Sequence, residues 1–157
     1  MNRRLLLLSL SVAVSTVARA QQPSPPPQNP REAEAVAFAV AWLAMLEEGD
    51  DLKSFDLLAP TFQRNLTRAT WKAALNESKI QLGNQTSQKL RRVVWYENPK
   101  NAPLPGTYAA VEFDSTYENS DLHFRYVVLH SQNSEPFRVM RNESTQALKR
   151  SSTPAAK

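Results

Sequence analysis

The sequence predicts an α+β domain, with N-terminal helices packed on a curled antiparallel sheet of about four strands. Three observations carry that prediction. Residues 31–82 repeat apolar side chains at helical spacing, and residues 89–141 repeat them at a period near two. Leu104 to Ser131 (LPGTYAAVEFDSTYENSDLHFRYVVLHS) reads as two long antiparallel strands joined by a polar turn. Helices come as one run and strands as the next, which places the helices together on one face of an antiparallel sheet.

The elements follow in order. Asn2-Arg3-Arg4, the apolar run Leu5 to Val14 and the small-residue pattern Ala18-Arg19-Ala20 make residues 1–20 a cleavable export signal, with cleavage after Ala20. Arg3-Arg4 fits a general secretory start better than a twin-arginine signal, because leucine follows at once. The apolar run is too short to span a bilayer, so the mature protein is expected to have no membrane span. Gln21 to Pro30 is half proline and reads as an extended, solvated linker.

Residues 31–143 are expected to form a single α+β domain. Arg31 to Glu48 is the clearest helix, with Glu32 and Glu34 in its first turn, where they suit the helix dipole. Val36, Val40 and Leu43 fall on one stripe, flanked by Ala33, Ala37 and Ala44, and Phe38, Trp42 and Met45 fall on a second. That breadth predicts burial on more than one side. Gly49 ends this helix, and Asp50 or Asp51 caps the next. Leu52 to Leu66 is helical but broken near Pro60, and Thr67 caps a third helix, Arg68 to Leu82, ended by Gly83. Lys89 to Glu97 is the first strand, and Pro136 to Arg141 the last. In the hairpin, Val111, Phe113 and Tyr117 form one apolar face, and Leu122, Phe124, Tyr126 and Val128 the other strand's apolar face. Ser144 to Lys157 has little apolar content and is expected to be a disordered tail.

Several function classes lose support on composition. Of 157 residues, 19 are basic and 15 acidic, but Arg3, Arg4 and Arg19 leave with the signal. A mature chain so close to neutral gives no reason to expect a nucleic-acid partner. There is no cysteine, which rules out disulfides, thiolate metal sites and cysteine nucleophiles. Three glycines leave no room for a phosphate-cradling loop.

A set of anchors carries a family likeness. Trp42-Leu43, Gly49-Asp50, Ser54-Phe55, Phe62, Trp71, Leu82-Gly83, Leu104-Pro105-Gly106, Tyr108, Val111, Phe113, Tyr117 and Asn119 together resemble a bacterial exported family known as domain of unknown function 4019, over Ala35 to Val139. The chain departs from the family where it has Ile80-Gln81-Leu82-Gly83, since the family usually carries a basic residue and a proline there. It departs again at Phe137, where the family usually has tryptophan. The family carries no established activity, so the resemblance implies fold and export without chemistry. The element order is also similar to the cone-shaped nuclear-transport-factor-two-like and cystatin-like folds, an analogy that does not give function.

Candidate chemistry is sparse. His123 lies on the strand face of Asp121 and Arg125 and is read as one member of a solvated charge ladder, with Glu112 and Asp114 as cross-strand neighbours. His130, seven residues on and on the opposite face, cannot share a metal with it, so no metal site is expected. The aromatic residues Trp42, Trp71, Trp95, Tyr96, Phe124 and Tyr126 read as core rather than as pocket walls. No cofactor is expected. The leading expectation is a non-catalytic binding or interaction module, periplasmic or secreted, that meets an unknown protein or small ligand. The alternative is a small-molecule enzyme of the cone-fold type, isomerase- or dehydratase-like, with Asp114, Glu112 or His123 as proton carrier.

Overall fold

The computed structural model describes residues 29–146. Four helices precede four strands: α1 Glu32–Glu48, α2 Asp51–Asp56, α3 Pro60–Gln63, α4 Arg68–Leu82, β1 Gln85–Glu97, β2 Thr107–Tyr117, β3 Ser120–Ser131 and β4 Arg138–Gln146. The strands form one open antiparallel sheet in the order β1-β2-β3-β4, so the predicted α+β class holds. Among the described residues no helix is long and apolar enough to cross a membrane. The expected signal, the linker through residue 28 and the tail from residue 147 lie outside the described residues.

Local chemistry explains the helix ends. α1 stops at Gly49, which takes the left-handed conformation (φ 79°) that favours glycine. The Asp50 carboxylate accepts from the Lys53 amide and caps α2. Thr67 and Thr70 satisfy each other's amides in a capping box that starts α4. At the other end of α1, the Asn29 carboxamide accepts from the Arg31 amide and the Asn29 carbonyl accepts from Glu32, so the last residues of the expected linker belong to the helix start. Arg31 then reaches across the fold. It stacks 4.2 Å over the Phe137 ring and donates to the Ser131 hydroxyl at 2.9 Å.

α1 is buried on one face, not two. Ala35, Ala39, Trp42, Leu43 and Leu46 are buried against Val111, Val127, Leu129, Phe137 and Val139. Val40 is 44% exposed, and Ala33, Ala37 and Ala44 are exposed with it. An open four-stranded sheet covers only one side of the helix, so the side that carries Ala33, Ala37, Val40 and Ala44 faces solvent, while Phe38 and Trp42 of the second stripe pack inward. Alanines at positions 35 and 39 let the helix backbone approach the strands closely.

The strands also run longer than expected. β1 begins at Gln85 rather than Lys89, because polar residues of its first turn still pair with β2. β4 extends to Gln146, where Ser144, Thr145 and Gln146 pair with Arg125, Phe124 and His123. Those three residues are therefore strand and not tail. The α2–α3 connection pairs with the start of β4: Ala59 donates to the Val139 carbonyl at 2.8 Å, and Val139 donates to Leu57 at 3.0 Å.

Candidate functional site

The inner face of the sheet, beneath the helices, changes character along its length. The β2–β3 register sets Ala109 opposite Leu129, Val111 opposite Val127, Phe113 opposite Arg125 and Ser115 opposite His123. Directly opposed residues share a face, so the apolar pairs lie at one end and the polar pairs at the other. β4 adds Asn142 and Ser144 to the polar end, opposite Val127 and Arg125. α1 ends at Glu48, and α4 stands over the part of this face that α1 leaves. The C-terminus of α4 is tied to the hairpin turn, because Asn119 donates to the Leu82 carbonyl at 2.9 Å and the Asn84 amide donates to the Glu118 carboxylate at 2.8 Å. The Asn84 side-chain amide, which donates to the same carboxylate at 3.0 Å, and then its backbone amide hold the Glu118 carboxyl below its ordinary range.

This arrangement reverses the expected phase of β3. Leu122, Phe124, Tyr126 and Val128 stand on the outer face, and His123, Arg125, Val127 and Leu129 on the inner one. Both faces of this strand carry apolar residues, so alternation alone did not separate them. The two-residue turn Glu118-Asn119 and the pairing of Tyr117 with Ser120 set the register, and the register sets the face.

Arg125, 8% exposed, is the centre of the polar end. Its Nη1 donates to the Tyr117 hydroxyl at 2.9 Å and lies 3.6 Å from the Glu47 carboxylate. Glu47 also sits 3.4 Å from the Lys79 ammonium, so one carboxylate is shared by two cations. Arg125 Nε is buried without a partner. His123, 7% exposed, has both ring nitrogens engaged: Nε2 meets the Ser120 hydroxyl at 2.7 Å, and Nδ1 meets the Ser144 hydroxyl at 3.1 Å. Its ring stands edge-on to Tyr117. Burial, and secondarily the nearby positive charge of Arg125, hold its pKa below the usual 6.5.

That depression has a measurable consequence. The unfolded chain binds more protons than the folded one between the depressed value and about pH 6.5, so stability is full above that window and falls as pH drops through it. The thermal midpoint is expected to fall between about pH 7.5 and about pH 5.5. In His123→Gln the slope is expected to flatten over the same range. The lowered carboxyl of Glu118 acts at more acidic pH, below its ordinary 4.5, and does not contribute in this window.

The three sequence-derived candidates do not converge. Glu112 and Asp114 lie on the outer face, where Arg92 grips Glu112 through two bonds of 2.7 and 3.0 Å and Arg91 sits 3.6 Å from Asp114. Arg91 also lies 4.5 Å from the Phe124 ring centroid. His123 is on the other side of the sheet from both carboxylates. His130 packs against Tyr108 and meets the Pro105 carbonyl at 2.9 Å, at the apolar end. Among the described residues, no group of three or more His, Cys, Asp or Glu side chains could hold a metal ion.

The aromatic residues divide. Trp42 and Trp71 are core, Trp95 packs on Phe137, Tyr96 is exposed, and Phe124 and Tyr126 belong to the outer face. Sequence reasoning did not single out Arg125, Tyr117, Asn142 and Ser144 as a group. The one available signal was an arginine two residues before the apolar pair Val127-Val128, in a strand otherwise suited to a core.

The family model described as a protein of unknown function (DUF4019) matches residues 38–141. No curated protein and no solved structure matches the chain.

Proposed function

We infer that this chain, which belongs to the DUF4019 family of proteins of unknown function, is a non-catalytic exported binding module whose ligand-facing surface is the polar end of the inner sheet face. The observation that carries the reading is the gathering of Tyr117, Arg125, Asn142 and Ser144 around a cavity of about 180 Å³ that α4 roofs. Tyr117 and Arg125 are buried there, Asn142 is half-buried and Ser144 is exposed, and domains rarely bury a charged side chain such as Arg125 unless it serves a purpose. Export rests on the positive start, apolar run and small-residue pattern of residues 2–20. It predicts a mature periplasmic or secreted chain that begins at Gln21, which intact-mass measurement of the secreted protein checks.

The isomerase- or dehydratase-like alternative has one observation in its favour, the placement of His123 on the inner face. It is the weaker reading, because both imidazole nitrogens are held by serine hydroxyls and the carboxylates Glu112 and Asp114 are across the sheet. A titration of small polar fragments against the isotope-labelled domain decides between surfaces. Saturable shifts at Tyr117, Asn142 and Ser144 support the reading. Saturable shifts confined to the outer face, around Glu112 and Phe124, overturn it.

A further inference from the structure

We propose that the cavity under α4 binds a small carboxylate that carries a hydrogen-bond donor beside its carboxyl group, held between Arg125 and Asn142. The proposal rests on the reading of the polar end as the ligand-facing surface and names the ligand class.

Four buried side-chain atoms lack a hydrogen-bond partner among the described residues: Trp95 Nε1, Asp114 Oδ1, Arg125 Nε and Asn142 Oδ1. Two of them, Arg125 Nε and Asn142 Oδ1, belong to residues that line this one cavity. They sit on neighbouring strands, since Arg125 opposes Ser144 and Asn142 is two residues away on the same face. One is a donor on a cation and the other an acceptor. Buried groups of this kind are nearly always satisfied, and leaving a charged donor unmet is costly.

The complement to this pair is a molecule that accepts at Arg125 and donates at Asn142. A guanidinium matches the geometry of a carboxylate, and the Tyr117 and Glu47 contacts at Nη1 already fix its plane. Charge points the same way. Arg125 has only a shared counter-ion, because Glu47 also pairs with Lys79, which in turn faces Glu118. A cavity of about 180 Å³ corresponds to about six waters at about 30 Å³ each, so the ligand is small. Trp71, Leu75 and Leu46 supply an apolar wall for a short aliphatic part. A hydroxyl next to the carboxylate meets all of these requirements.

The test uses the mature protein with lactate, propionate and inorganic phosphate as probes, followed by calorimetry and by amide shifts. Lactate is expected to bind saturably with shifts at Tyr117, Asn142 and Ser144. Propionate, which lacks the donor, is expected to bind about tenfold more weakly. Asn142→Ala is expected to weaken lactate to the level of propionate and leave propionate unchanged. Arg125→Lys is expected to weaken both, and Asn142→Ala keeps the test open if Arg125→Lys does not fold. Equal binding of lactate and propionate, or tighter binding of phosphate than of either, overturns the proposal. No binding of any probe also overturns it. In that case the fragment shifts at Tyr117, Asn142 and Ser144 show separately whether the polar end is still the ligand-facing surface.

Discussion

Trp42→Ala is expected to destabilise the domain by about 4 kcal/mol, most of the total stability for a domain at the lower end of the usual range of about 5–15 kcal/mol. Trp42 is fully buried, at the contact of α1 with α2 and the sheet. Its ring centroid lies 6.1 Å from that of Trp71, and both indole N–H groups converge on one residue. Trp42 donates to the Ser54 carbonyl at 2.9 Å, and Trp71 donates to the Ser54 hydroxyl at 3.1 Å. The substitution therefore opens a large cavity and orphans a buried carbonyl as well. Trp42→Phe separates the two effects: it keeps most of the volume and loses the hydrogen bond, at an expected cost of about 2 kcal/mol. Urea unfolding followed by circular dichroism reads both values.

Gly106→Ala is expected to cost about 3 kcal/mol, against about 1 kcal/mol for Gly49→Ala. Both glycines have positive φ, 129° at Gly106 and 79° at Gly49. They differ in surroundings. A methyl at Gly106 meets the Ser131 carbonyl oxygen at 2.6 Å and the His130 ring at 3.0 Å, whereas nothing lies within 4 Å at Gly49. Ser131 pairs with Thr107 in the ladder, so its carbonyl cannot retreat without opening the hairpin. The comparison isolates the steric part from the conformational part. Equal costs at the two positions would show that the loop before β2 is looser than this packing implies.

Much of the fold was legible in the chain, for identifiable reasons. Thr67, Gly49 and Gly83 are end signals whose chemistry is local, and α1 and α4 end where these residues say they end. The hairpin was legible because Pro105-Gly106 and the Glu118-Asn119 turn bracket two alternating runs. What failed was non-local. The far end of β4, Asn142 to Gln146, has almost no apolar content and is a strand because β3 offers it a ladder. The one-sided burial of α1 depends on how many strands stand opposite it, which periodicity does not report.

The candidate site was the least legible part, and β3 shows why. His123 and Arg125 look like solvated residues when Phe124 and Tyr126 are taken as core. On the outer face those aromatics find other company. Arg91 stacks on Phe124, and Tyr126 donates to Glu143 while Arg141 lies 5.9 Å from its ring. Polar residues are thus buried and aromatic residues partly exposed in the same strand. Register decides this, and register is a property of two strands rather than of one.

The whole account of the site depends on which face of β3 looks inward, and that is the measurement to make. The chain has no cysteine, so single cysteines introduced as Phe124→Cys, Val127→Cys, Val128→Cys and Leu129→Cys report accessibility without background. Thiol labelling under native conditions is predicted to be fast at positions 124 and 128 and strongly protected at 127 and 129. The opposite order, with 127 and 129 fast and 124 and 128 protected, would put Arg125 and His123 in solvent and remove the site.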